Sequence, residues 1–191
     1  MRIQGLQKLT LLDYPGRTAC TVFLSGCNFR CPFCHNAPLL TAADEDGMDE
    51  DELLAFLKKR QGLLDGVAVT GGEPLLRPEL PALLEKIKAL GYAIKLDTNG
   101  AFPEQLEAVV RAGLVDYVAM DIKNSPARYA ETAGTAELDL APIDKSISFL
   151  LRGTVDYEFR TTAVAELHDV GLQIVADDVR AHTALLDEVI I

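Results

Sequence analysis

Basic residues are scarce in this 191-residue sequence: 18 Lys and Arg stand against 29 Asp and Glu, a formal net charge of −11. Neutralising a phosphate backbone takes clustered Lys and Arg, and no such cluster is present, so nucleic acid is not expected as a partner. No run approaches the roughly 18–20 apolar residues that span a bilayer as a helix, and the amino terminus lacks a basic region leading into an apolar signal core. Fixed repeats and low-complexity tracts are also missing. Cysteine and histidine are rare, four and three residues. Three of the cysteines fall close together, which in a chain without a secretion signal points to metal or catalytic chemistry rather than a disulfide framework, and to a cytoplasmic location. What remains is ordinary globular composition, 49% hydrophobic and 25% charged, of a length that suits one domain.

The periodicity alternates strand and helix. Residues 18–24 are β-branched and aromatic, and put Cys20, Val22 and Leu24 on one face. After an acidic connection, Asp49 is a candidate N-cap for a helix to Arg60. A buried strand is expected over residues 66–70. The next helix begins near Pro78, carries Leu80, Leu83, Leu84 and Ile87 on one face, and stops at Gly91. Strand 92–96, helix 103–112, strand 115–120, a helix after Pro142 and strand 155–164 continue the cycle. Such alternation means βαβ units and a parallel sheet. In these sheets the working residues collect on loops at the carboxyl ends of strands. The cysteine loop, Gly71-Gly72-Glu73, Asp97-Thr98-Asn99 and Asp121-Ile122-Lys123 all fall there, and are expected on one rim.

The chemistry is concentrated in Cys27-x3-Cys31-x2-Cys34, directly after the first long strand. Three thiolates on one loop converge on a single inorganic centre but cannot fill four positions. A cubane [4Fe–4S] cluster normally takes four cysteines, so here one iron would stay open for chemistry. Cys20, a strand away, reads as a small core residue rather than a fourth ligand. The alternatives are a structural zinc site completed by His35, which would make the chain a non-catalytic metal-binding interaction protein, and a plain electron-transfer cluster. Gly71-Gly72-Glu73-Pro74 is either a glycine-rich turn or a place where a ligand's ammonium group meets exposed carbonyls beside a carboxylate. It lacks the third glycine of a dinucleotide fingerprint and is too short for a P-loop. Asp97 and Asp121 end successive strands, where they are either solvated or bind ribose hydroxyls, a cation or an ammonium group. Lys123 and Arg160 are surface charges or ligands; Arg160 lies in a strand pattern that would turn it inward toward a carboxylate. His168 reads as a surface histidine.

These residues resemble the radical S-adenosylmethionine superfamily, through the cysteine spacing and Gly71-Gly72-Glu73 after the next strand. More narrowly, residues 5–16, the run from Gly26 to Asn36, Asp97-Thr98-Asn99-Gly100, Met120-Asp121-Ile122-Lys123 and residues 157–162 resemble the anaerobic ribonucleoside-triphosphate reductase activating proteins, which belong with the glycyl-radical-enzyme activases. The resemblance covers about residues 1–168. It implies a partial (β/α) barrel in which Cys27, Cys31 and Cys34 hold three irons of a [4Fe–4S] cluster. The amine and carboxylate of S-adenosylmethionine would chelate the fourth iron. Gly71, Gly72 and Glu73 would receive the amine, with Asp97, Asn99, Lys123 and Arg160 lining the cofactor site. Asp97, Thr98 and Asp121 resemble a monovalent-cation site. No catalytic side chain is implied beyond the cluster and S-adenosylmethionine. The implied partners are a glycyl radical enzyme, namely anaerobic ribonucleoside-triphosphate reductase or another such as pyruvate formate-lyase, and a low-potential donor such as flavodoxin or ferredoxin.

One feature departs from the family. Residues 172–176 would make a sixth strand, but too few residues separate it from the fifth for a parallel crossover. The expectation is therefore a single domain over residues 1–191: an extension over 1–16, a barrel core over 17–168, and an atypical carboxyl-terminal segment over 169–191 with a helix near 178–189.

Overall fold

The computed structural model describes residues 1–41 and 47–168. Its centre is a six-stranded sheet of β2 (Gly5–Thr10), β3 (Ala19–Leu24), β5 (Gly66–Gly71), β6 (Ala93–Thr98), β7 (Tyr117–Asp121) and β8 (Asp156–Arg160), in that spatial order. β3 and its four successors pair in parallel. The helices α1 (Glu50–Arg60), α2 (Leu80–Ala89), α3 (Pro103–Arg111), the short α4 (Tyr129–Ala133) and α5 (Ala141–Leu150) fill the crossovers. This is the partial (β/α) barrel expected from the sequence. The proposed strand at 172–176 and helix at 178–189 lie outside the described residues.

Three strands were not legible as periodicity. β2 runs antiparallel to β3, so Gly5–Thr10, within the expected amino-terminal extension, form the edge strand of the sheet. Short β1 (Arg2–Ile3) pairs with β4 (Met48–Asp49) just before α1. At the start of α1 the Asp49 amide donates to the Glu52 carboxylate at 3.0 Å, half of a capping box that fixes where the helix begins.

The parity of each strand decides what faces what. Val22 and Leu24, Val67 and Val69, Ile94 and Leu96, and Val118 and Met120 are buried with Leu53, Leu57, Leu83, Leu84, Ile87, Leu106 and Phe149 of the helices. The alternate residues face the concave side: Thr21, Ala68, Lys95 and Tyr117 share one level by register, and Asp97, Ala119 and Glu158 the next. Tyr14 closes the amino-terminal end. It is 2% exposed, its ring lies 6.0 Å from that of Tyr117, and a Cβ on Gly66 would come within 2.9 Å of it. The carboxyl-terminal end is left for the functional loops.

Candidate functional site

The cysteine loop is clamped at both ends by backbone. Beyond the ends of β3 and β5 the pairing continues, with Gly72 N donating to Leu24 O at 2.9 Å and Glu73 N to Gly26 O at 2.8 Å. A Cβ on Gly72 would lie 1.9 Å from Gly26 O, and one on Gly71 2.2 Å from Leu24 O. Both glycines are thus required by the neighbouring chain. Asn36 Nδ2 donates to Gly71 O at 3.1 Å, and Arg30 N to Ala133 O at 2.8 Å.

Between these clamps Cys27, Cys31 and Cys34 line one cavity of about 470 Å³. Cys27 Sγ accepts from Phe29 N at 3.4 Å and faces Asn99 Nδ2 at 3.9 Å. Burial pushes the Cys27 and Cys31 thiols up; the Phe29 amide at Cys27 and the Lys123 ammonium at Cys31 offset only part of that rise. A bound metal centre would overturn that balance, because coordination deprotonates a thiol outright. Cys20 differs in every respect. It is fully buried on the opposite face of β3, its thiol is pushed up to about 12 by burial, and it packs as a core residue. His35 is exposed at the rim. Among the described residues no three His, Cys, Asp or Glu side chains are arranged to hold a single metal ion.

Glu73, expected at a ligand's amine, sits one layer lower. It is fully buried and accepts from Leu75 N (3.1 Å), Thr98 Oγ1 (2.9 Å) and Asn99 N (2.7 Å). Burial pushes its carboxyl up to about 7 against the pull of these donors. The carboxylate therefore ties the loop after β5 to the loop after β6. What the cavity sees of the tripeptide is Gly71 and Gly72.

Asp97, Asn99, Asp121, Lys123 and Arg160 all line the same cavity, as expected. Asn99 Nδ2 also donates to Asn28 Oδ1 at 2.8 Å, fastening the β6 loop to the cysteine loop. The charged groups alternate in sign. Lys95 Nζ lies 2.7 Å from Asp97 Oδ1 and 3.7 Å from Glu158 Oε1, and Arg160 Nη2 lies 3.5 Å from Asp97 Oδ2. Arg160 Nε lies 3.2 Å from Asp121 Oδ1, and Lys123 Nζ 2.9 Å from Asp121 Oδ2. Burial alone would raise the Asp121 carboxyl, but Lys123 and Arg160 outweigh it and hold it low. The Arg160 guanidinium lies between Asp97 and Asp121, the two carboxylates expected at a monovalent cation, with Lys95 and Lys123 paired to their other sides. Thr98, the third residue of that expected set, also lines the cavity, while its hydroxyl donates to Glu73.

His168 is not the surface residue expected from sequence. Its Nδ1 accepts from Val164 N at 3.0 Å, which leaves Nε2 to donate to Lys123 O at 2.8 Å, and its ring meets Phe33 of the cysteine loop edge-on at 6.3 Å. With Asn124 Nδ2 donating to Leu167 O at 2.8 Å, it straps the segment after β8 across the rim. Sequence reasoning also missed Lys95, Glu158 and Asn36. Lys95 and Glu158 stand two residues before Asp97 and Arg160, on the same strand faces, and period two would have found both.

The model of the radical SAM superfamily matches residues 21–178. The chain belongs to the radical SAM superfamily. A curated protein of Methanocaldococcus jannaschii, provisionally assigned as a glycyl-radical enzyme activating enzyme, is 33% identical over 175 residues, 87% of this chain and 70% of that protein. The pyruvate formate-lyase-activating enzyme of Clostridium pasteurianum is 35% identical over 129 residues, 64% of this chain and 52% of the enzyme. The fold recurs in Streptococcus suis SuiB bound to its precursor peptide (TM-score 0.60, 17% identity, 84% of this chain and 36% of that one). It recurs again in anSMEcpe with bound AdoMet (0.59, 18%, 81% and 46%). This radical SAM enzyme carries the donor set that a [4Fe–4S] cluster requires. Three cysteine side chains, soft donors once deprotonated, line one cavity with no fourth cysteine beside them, and the Phe29 N–H points at the Cys27 sulfur, a set that fits three positions of such a cluster. Among its described residues no helix is long and apolar enough to cross a membrane.

Proposed function

We propose that this radical SAM enzyme is an activating enzyme that installs a glycyl radical on a partner enzyme. The observation that carries the reading is the joint lining of one cavity by Cys27, Cys31 and Cys34 and by Asp97, Asn99, Asp121, Lys123 and Arg160. Cys27, Cys31 and Cys34 would hold the [4Fe–4S] cluster by three thiolates. Gly71 and Gly72 present backbone to the ammonium end of S-adenosylmethionine, and Glu73 shapes that loop from below rather than touching the ligand. Arg160 and Lys123 offer the positive charge a carboxylate needs, and Asp97 and Asn99 offer acceptors and donors for a ribose. The cavity volume lies within the range of small-molecule sites. When bound, the cluster and S-adenosylmethionine would supply one-electron reductive cleavage of the sulfonium C–S bond, the chemistry needed to take one hydrogen atom from a glycine of the partner. The chain's own residues position, screen and exclude water.

The two activating-enzyme relatives support a glycyl radical enzyme as partner. Residues 157–162 and the Asp97 and Asp121 loops favour anaerobic ribonucleoside-triphosphate reductase. Pyruvate formate-lyase is the second reading, favoured by the C. pasteurianum relative. A low-potential flavodoxin or ferredoxin would deliver the electron. Mixing the reduced, reconstituted protein and S-adenosylmethionine with each partner in turn separates the readings. A glycyl radical signal by electron paramagnetic resonance on the reductase alone is the expected result. A signal on the formate-lyase alone selects the second reading, and none on either overturns the proposal.

A further inference from the structure

Lys95 lies in β6 one level below Asp97, is 1% exposed, and is not among the residues that line the cavity. Burying an ammonium is costly, and an apolar side chain of that volume often serves stability as well. The register shows what the charge does there. Asp97, Ala119 and Glu158 stand level on β6, β7 and β8. The small Ala119 side chain leaves a gap through which the Lys95 ammonium, rising from the level below, meets Asp97 Oδ1 at 2.7 Å and Glu158 Oε1 at 3.7 Å. The other Asp97 oxygen faces Arg160 Nη2 at 3.5 Å, while Arg160 Nε faces Asp121 Oδ1 at 3.2 Å. Arg160 is thus shared between two carboxylates. How far it leans toward Asp97 depends on how much of the Asp97 charge Lys95 already satisfies.

We propose that Lys95 is a positioning residue of the cofactor site: from below it fixes Asp97, and so sets where Arg160 presents its guanidinium to the carboxylate of S-adenosylmethionine. The inference rests on the reading of the cavity given above. Without Lys95 the Asp97 carboxylate draws Arg160 off Asp121 and away from the ligand. The thiols are untouched, so the cluster remains.

The test uses reconstituted holoprotein and three readouts: iron and sulfide content, equilibrium dialysis of S-adenosylmethionine, and steady-state kinetics of S-adenosylmethionine cleavage. K95M should keep the full cluster while Kd and KM rise about tenfold or more, the scale seen when the outer support of a site is removed; kcat should change less. In a D97N background the same replacement should add nothing, because Lys95 acts through Asp97. K95R should recover most of the affinity. Unchanged affinity in K95M, or an equal additional loss in the D97N background, overturns the proposal. If K95M does not fold, K95R against K95Q carries the same comparison, retention in the first and loss in the second. A wild-type protein that holds the cluster yet binds no S-adenosylmethionine overturns the cavity reading itself, and this inference with it.

Discussion

At position 72 the backbone of Gly26 leaves no room for a methyl group, so Gly72→Ala must push the start of the cysteine loop outward. The expected result is a folded protein that reconstitutes with well under its full iron and sulfide; wild-type metal content would contradict it. Replacing Cys27, Cys31 or Cys34 by Ala should abolish cluster assembly, whereas Cys20→Ala should leave it intact, which iron analysis and visible absorption distinguish. The three ligands were legible because their spacing is local. Glu73 was only half legible: its place in the chain was clear, but its three donors come from two loops that only the fold brings together. Its titration is also a consequence of folding. The folded, cofactor-free protein keeps the Glu73 proton up to about 7, against 4.5 ordinarily. That contribution is complete below the ordinary value and is lost as pH rises through the folded one. Denaturant unfolding should therefore show stability falling between about pH 5 and 7, with Glu73→Gln less stable throughout but flatter across that window. Equal slopes would sink the assignment.

At the scale of elements, the helices were readable because each carries its apolar stripe and stop signal in its own sequence, as Leu80, Leu83, Leu84 and Ile87 do before Gly91. Leu84→Ala, in a fully buried position, should cost about 2–5 kcal/mol by denaturant titration; a loss well below that range would mean α2 packs loosely. β2 was not readable. It is an edge strand with Leu9 exposed and Thr10 buried, so the alternation that marks a half-buried strand is blurred. The strap after β8 was invisible for another reason: besides the local bond from Val164 N, His168 is held by Lys123 O, a contact that exists only once β7 and β8 lie side by side. His168→Ala should remove roughly 1 kcal/mol of net hydrogen bonding and speed amide exchange at Val164 and Leu167. Unchanged exchange there would show that the strap is held by other contacts.

For the whole molecule, the sign of the sheet's two faces explains how one short chain makes a reaction chamber. Apolar residues of one parity bind the helices outside, and residues of the other parity fill the inside in layers. Tyr14 lies at the base against Tyr117, which stands level with Lys95; Asp97 and Glu158 come next, then Asp121 and Arg160, and the cysteines at the mouth. The parallel order and the shared rim followed from the alternation of elements, while the ion-pair ladder required strand register. Three thiols at the mouth of a charged, layered chamber are suited to hold a cluster with one open iron beside a zwitterionic nucleoside. The direct measurement is anaerobic reconstitution with iron and sulfide, reduction, addition of S-adenosylmethionine and assay for 5′-deoxyadenosine. The account predicts about four irons per chain and 5′-deoxyadenosine formation that is lost when Cys31 is replaced by Ala; a fully reconstituted protein that yields none, or one that takes up a single zinc ion instead, would contradict it.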